Sequence, residues 1–344
     1  MPANPYAYAV TIYINLMAKP FVKGDKHKCF ILGEDTETFG KGTKMIIPTT
    51  AEFFEQLKGE FYLTPSGCAS QYQALSKYDA EENKTSFCAN NLVYYYYWEG
   101  LMKTRYKGGK TLLEIYDASP EKYWERVCKM DRRKRQPPLI RDAWELNRAI
   151  TFFKPTTAKH IVERFCPYGG KVFDPCAGWG GRLLGTLSAG CEYYAHDTNS
   201  DIIETAKTMI SDLEGQGCEF RKWNISHSSC LELTEPEELR TLENKFDFAF
   251  TSPPYSNLEV YEEMTPFVDD DDYYKNFLIP MIDRCRLVVK EGGTIAINVS
   301  PKIYKTLTER YEYELSAGQI DFKQQIGQAT KAKGGDFFYL WFAR

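Results

Sequence analysis

Lys171-Val172-Phe173-Asp174-Pro175-Cys176-Ala177-Gly178-Trp179-Gly180-Gly181-Arg182 is the stretch whose reading decides the fold. A short apolar run ends in Asp-Pro, turns through three glycines and opens a helix over 182–189 that Gly190 closes. Glycine removes the Cβ where a backbone must turn tightly or approach a ligand. The helix start behind the turn offers free N–H groups. A second strand reads over 191–196, and Asp197 follows it, nineteen residues after Gly178. A carboxylate there can accept hydrogen bonds from both ribose hydroxyls of a nucleoside. Asp174, at the tip of the first strand, suits a cationic ligand group, whereas a pyrophosphate beside it would be repelled. Asp174, Pro175, Cys176, Ala177, Gly178, Gly180 and Asp197 therefore form the expected binding set.

Strands and helices alternate outward from this stretch. Apolar residues at helical spacing mark 200–213, with Ser200 as its expected N-cap and Gly215 and Gly217 as its stop. Further strands are predicted at 218–223, 246–250 and 294–299, with an amphipathic helix over 273–289. Two last strands, near 311–315 and 337–342, would close the sheet. The four consecutive Asp of 269–272 read as a solvated helix start. Upstream, Phe152-Phe153-Lys154-Pro155-Thr156 leads into a helix over 157–165. Phe153 is expected either to cover a bound nucleoside or to sit in the core, with Lys154 and Thr156 beside it. Ser229 follows the third strand, where a polar side chain can meet an adenine edge. The pattern predicts an α/β fold: a doubly wound, mostly parallel, seven-stranded Rossmann-like sheet, which binds ligands at the carboxyl ends of its strands.

Residues 1–138 are expected to form a separate N-terminal α+β domain, with Pro137-Pro138 as linker and 139–344 as the sheet domain. Strands are predicted at 6–16 and 91–98, the latter from its β-favouring run NLVYYYYW, and helices at 51–58 and 140–149. The chain has 344 residues and a formal net charge of -4. Its charge is uneven: residues 1–150 hold 22 Lys and Arg against 18 Asp and Glu, the remainder 21 against 29. A basic stretch from Lys103 to Arg135 includes Lys107, Lys110, Arg132, Arg133, Lys134 and Arg135. Such asymmetry hints at nucleic-acid contact on one side, and these six are the candidate contacts. The ten Cys form no C-x-x-C pair and the four His stand far apart, so no metal site is expected. Scattered Cys, with neither a signal peptide nor an apolar run of about 20 residues, predict a soluble, cytoplasmic protein.

The second chemical signal is Phe246-Asp-Phe-Ala-Phe250-Thr251-Ser252-Pro253-Pro254-Tyr255. An apolar strand ends in Ser-Pro-Pro-Tyr. Two prolines lack N–H donors and fix φ, which makes a stiff loop rich in acceptors. An amino group about to react as a nucleophile needs such acceptors, from Ser252 and the Pro253-Pro254 backbone, to aim its lone pair. Tyr255 can stack on a planar base. Pro-Pro-Tyr alone is an ordinary loop; its weight comes from ending a strand of the same sheet as Asp174-Pro175.

The loop DPCAGWGG at 174–181 and TSPPY at 251–255 resemble the cofactor and catalytic motifs of amino-methylating, S-adenosylmethionine-dependent DNA methyltransferases. The resemblance covers about residues 150–344. It implies S-adenosyl-L-methionine as cofactor and direct in-line transfer of its methyl group to an exocyclic amine of a DNA base, with no covalent intermediate. Ser at the first catalytic position is associated in that family more with cytosine N4 than with adenine N6. Room for target recognition exists only within 1–150. RNA base methylation, protein glutamine methylation and a non-catalytic nucleic-acid-binding module with the same fold are the alternatives, with a nicotinamide oxidoreductase the weakest. The oxidoreductase leaves the Ser-Pro-Pro-Tyr loop unexplained, RNA modification would be expected to need a recognisable RNA-binding domain in 1–150, and Asp174, Asp197, Ser252 and Tyr255 together argue against a decayed module.

Overall fold

The structure is a computed structural model that describes residues 49–53, 59, 62–79, 88–106, 109–121, 152–232, 242–260, 263–311 and 337–342. The expected strand at 6–16, the helix at 140–149 and nearly all of the strand at 311–315 lie outside these residues. By packing, residues 63–111 and 150–344 form one unit, and 1–62 with 112–149 another. In the second unit, residues 50–53 are helical, as is α3 (Leu112–Ala118), and Phe53 stacks on Tyr116 with ring centroids 4.0 Å apart.

The larger unit carries helices α1 (Pro65–Ser76), α2 (Asn90–Lys103), α4 (Pro155–Phe165), α5 (Gly181–Ser188), α6 (Ser200–Gly215), α7 (Ile279–Val288) and α8 (Pro301–Glu309). Its main strands are β2 (Lys171–Asp174), β3 (Glu192–Asp197), β4 (Trp223–His227), β5 (Phe246–Thr251), β7 (Val289–Val299) and β8 (Phe337–Phe342). They form one sheet in the order β4-β3-β2-β5-β7-β8. Every neighbouring pair is parallel except β7 with β8, which is antiparallel. Six strands of the predicted seven are therefore present in this sheet among the described residues. Two short strands, β1 (Arg105–Tyr106) and β6 (Glu259–Val260), pair as a separate antiparallel ribbon.

Strand alternation explains why both faces of the sheet are covered. Phe173, Phe246, Ala249, Ile295, Ile297 and Val299 pack on one face with Met281, Ile282, Cys285 and Val288 of α7. Val172, Phe248, Phe250 and Ala296 point the other way, to Ala158, Ile161 and Val162 of α4. The continuous apolar run Phe248-Ala249-Phe250, buried throughout, reads as a strand covered on two sides for this reason. On the second face α4 and α5 lie in close contact. A methyl on Gly185 would stand 2.4 Å from the Ala158 Cβ.

Four expectations are corrected in detail. Residues 91–98 are helical, inside α2, where Leu92, Val93, Tyr97, Trp98, Leu101 and Met102 are buried at helical spacing. The β-propensity of four consecutive Tyr is overridden by packing of that stripe. The third strand begins at Trp223, not Cys218, and Phe220 instead packs on Tyr72 of α1 at 4.8 Å. The N-cap of α6 is Asn199, whose side chain accepts from Asp201 N, rather than Ser200. The helix expected over 273–289 starts earlier, with Asp269 capping Asp270–Asp272, and continues as a π-helix over Tyr273–Leu278. Pro280, in the first turn of α7, cannot donate to a carbonyl one turn back, and a widened turn absorbs that loss.

Candidate active site

Chain order runs outward from β2 to β3 and β4 on one side, and from β5 to β7 on the other. The sheet's switch point therefore lies between β2 and β5, and sheets of this kind form their ligand crevice there, at the carboxyl ends of the strands. The glycine loop follows β2 and the Ser-Pro-Pro-Tyr loop follows β5. Both expected loops thus flank the same crevice, with Asp197 at the end of β3 and Ser229 just beyond β4.

Gly178 and Gly180 hold φ of 60° and 72°, a region that L side chains avoid. Gly178 N donates to Asp197 Oδ2 at 2.9 Å, and Asn199 N donates to Oδ1 at 3.0 Å. Burial raises the Asp197 pKa above the ordinary carboxylate value, against the lowering effect of these two amides. Each oxygen keeps lone-pair capacity for a further donor, as a carboxylate accepts at about four sites. The Phe152–Lys154 segment crosses directly over the loop: a methyl on Gly181 would lie 1.7 Å from the Phe153 carbonyl oxygen. Gly181→Ala must therefore push that segment away. It is expected to lose about 1–3 kcal/mol of stability, read by urea unfolding.

Asp174 has a different surrounding from the one expected. It is fully buried, and its Oδ2 accepts from Arg182 Nε at 2.7 Å and from the Tyr193 hydroxyl at 2.7 Å. Its Oδ1 accepts from Cys176 N at 3.2 Å. Arg182 Nη2 also donates to the Cys176 carbonyl. The carboxylate is thus sealed by its own loop and fixes Pro175-Cys176-Ala177 in place, rather than facing outward to a cationic ligand. Burial disfavours the charged Arg182 guanidinium, but Asp174, Tyr193 and Cys176 together more than offset it and hold the group charged. Cys176 packs near Met281, and burial pushes its thiol well up, which removes it as a nucleophile.

Phe153 is half-buried, edge-on to Phe250 at 5.4 Å and beneath the Arg182 guanidinium at 5.7 Å. Lys154 occupies the N-cap position of α4, and Thr156 is buried in its first turn. Ser229 Oγ accepts from Leu231 N at 3.2 Å, and the neighbouring Ser228 Oγ lies 3.0 Å from His196 Nδ1.

In the second loop, Ser252 Oγ donates to Asn298 Oδ1 at 3.2 Å, and the Tyr255 hydroxyl donates to the same oxygen at 2.9 Å. Both hydroxyl protons are thereby directed at one oxygen, which leaves the Ser252 oxygen able to accept. Pro253 is buried and Pro254 half-buried between them. Asn298 was not among the expected residues. Its signal is a buried polar residue inside the apolar strand Thr294-Ile-Ala-Ile-Asn298-Val. Glu263 was also missed: its carboxylate accepts from Ser200 N at 2.9 Å and Ser200 Oγ at 2.8 Å. It brings the chain beyond the second loop back to the start of α6, three residues after Asp197.

Of the basic candidates, Lys110 is exposed, while Lys107, Arg132, Arg133, Lys134 and Arg135 lie outside the described residues. Among the described residues, no cluster of three or more His, Cys, Asp or Glu could hold a metal ion, and no helix is long and apolar enough to cross a membrane.

No protein-family model and no curated protein matches the chain. Among solved structures it is similar to an rRNA methylase from Streptococcus thermophilus, with 11% identity and a TM-score of 0.38 over 56% of this chain and 99% of that one. It is similar also to the tRNA (m1A58) methyltransferase TrmI from Aquifex aeolicus, with 10% identity and a TM-score of 0.36 over 57% and 71% of the two chains. A methyltransferase from Pyrococcus furiosus aligns with 15% identity and a TM-score of 0.37 over 55% of this chain and 83% of its own.

Proposed function

We propose that this chain transfers a methyl group from S-adenosyl-L-methionine to the exocyclic amine of a DNA base, with cytosine N4 preferred over adenine N6. The observation that carries the reading is the Ser252 hydroxyl beside Pro253-Pro254, whose proton goes to Asn298 Oδ1 and whose oxygen is thereby made an acceptor. An –NH₂ group offers two donors, and acceptors are what it needs to be held and aimed. A carbonyl or phosphoryl substrate would instead call for donors.

The residues present fit the cofactor. Gly180 and Gly181 are filled over by Tyr97 and Phe153, whereas at Gly178 a Cβ would meet only Arg182 Nη2 at 3.6 Å and the Cys176 carbonyl at 3.9 Å, so it is there that backbone can come close to a nucleoside. Asp197 supplies the acceptors for a ribose diol. Asp174 takes part as a positioning residue, since Arg182 and Tyr193 already occupy it. When bound, the cofactor supplies a methyl group made electrophilic by its sulfonium. Ser252 Oγ accepts one amine proton in hydrogen bond and so directs the nitrogen lone pair into the crevice. Tyr255, anchored through its hydroxyl, offers its ring face to the base. Pro253-Pro254 hold both without reorganisation. The chemistry needs no nucleophile from the protein, consistent with the inert Cys176 thiol.

The basic segment that includes Lys107, Lys110 and Arg132 to Arg135 is the proposed contact with DNA phosphates, within residues 1–138 as the target-recognition part. Binding should weaken steeply with salt if it is.

The deciding experiment is transfer of radiolabelled methyl to duplex DNA, single-stranded DNA and RNA, followed by nucleoside analysis. N4-methylcytosine in DNA is expected. N6-methyladenine would keep the chemistry and change the base, and label in RNA alone would change the polymer. No label in any nucleic acid would overturn the proposal.

Asp197→Ala is expected to weaken binding of S-adenosylhomocysteine about 10- to 100-fold, as loss of hydrogen bonds to a charged group does. Calorimetric titration checks it. Because burial raises the Asp197 pKa, wild-type binding should also fall as pH drops toward that raised value, and the Ala variant should lack this step.

A further inference from the structure

Helix α2 reaches the glycine loop from a part of the chain that carries no cofactor motif, and the two surfaces interlock. A methyl on Gly180 would lie 2.5 Å from Tyr97 Cε2 and 2.8 Å from its hydroxyl oxygen. One turn on, a methyl on Gly100 would lie 2.5 Å from Trp179 Cζ3. Each glycine thus receives the other element's aromatic ring. Tyr97 also meets Trp179 edge-on, with centroids 6.3 Å apart.

Packing accounts for the Tyr97 ring but not for its hydroxyl. The residue is 2% exposed, and the hydroxyl has no hydrogen-bond partner. Buried hydroxyls are nearly always paired, so an unpaired one beside a ligand cradle calls for a partner that the protein itself lacks. The groups around it narrow the choice. Burial first and the nearby Asp197 charge second raise the Tyr97 pKa, and the Tyr97 hydroxyl adds to the raising of Tyr193 on β3. The hydroxyl therefore lies over the glycine loop, against Gly180.

We propose that Tyr97 is a cofactor-binding residue, its hydroxyl pairing with a hydroxyl or carboxylate oxygen of the S-adenosyl cofactor on the glycine loop. This rests on the reading of the crevice as an S-adenosylmethionine site and extends that site to α2. It makes the site composite, closed on one side by a helix that precedes the sheet by some seventy residues.

Tyr97→Phe tests the proposal because it removes only the hydroxyl and keeps the ring on Gly180. Titration of S-adenosylhomocysteine by calorimetry is expected to show affinity lowered about five- to tenfold, as deletion of one neutral hydrogen bond does. The melting temperature of the ligand-free variant is expected to be unchanged or raised, since an unpaired buried hydroxyl is gone. A structural role would give the reverse pattern: a lower melting temperature without ligand and unchanged affinity. Either half of that pattern overturns the assignment of Tyr97. If wild-type protein binds no S-adenosylhomocysteine, the cofactor reading itself fails and this assignment with it. If wild type binds and the Phe variant binds equally well, Tyr97 alone is wrongly assigned.

Discussion

Replacing Ser252 by alanine is expected to lower turnover about 10²- to 10³-fold while leaving cofactor affinity unchanged. The side chain is half-buried, and its proton already belongs to Asn298 Oδ1. What alanine removes is therefore an acceptor, and an acceptor fixed before the substrate arrives. Such an interaction strengthens as the amine nitrogen gains positive charge, so its loss falls on kcat more than on binding. Asn298→Ala should resemble it, because it frees two hydroxyls to turn and to donate. Single-turnover rates measured beside calorimetric affinities separate the two effects. If both variants turned over normally, the second loop would not be where the amine is held.

Arg182→Ala is expected to cost about 3–5 kcal/mol of folding stability, the largest effect of any single substitution considered in this chain. The Asp174 side chain is 0% exposed and that of Arg182 is 5% exposed. Truncation would leave a buried carboxylate with only a tyrosine hydroxyl and one amide for company. It would also release the Cys176 carbonyl. Urea unfolding reads the loss. The double variant Arg182→Ala with Asp174→Asn should recover part of it, since no charge then remains to be buried. A loss below about 1 kcal/mol for the single variant would mean that solvent reaches this pair.

Much of the candidate site was legible because it is local. The glycine loop, Asp197 and Ser-Pro-Pro-Tyr are each a few residues of strand, turn and helix start, and backbone geometry dictates their residue types. Asp174 was legible as a residue that matters but not as to what it touches, because Arg182 and Tyr193 reach it from eight and nineteen positions away. Asn298 lies 46 positions from Ser252, and only strand order makes them neighbours. The tyrosine run of α2 was misread because its β-propensity is real; what decides it is the stripe of six buried residues along the helix. The basic cluster at 132–135 lies outside the described residues and rests on charge composition alone.

The β1–β6 ribbon has a practical consequence. Arg105 pairs with Val260, and Tyr106 with Glu259, so the chain just after α2 is stitched to the chain just after the second loop. A fragment beginning at residue 139 would contain every recognisable motif and look self-sufficient. It would lack the strand that β6 leans on, the ring that fills the space above Gly180 and the glycine that receives Trp179. The smallest piece that keeps this interlock begins before α2, and what reads as a leader to the sheet is one of its walls.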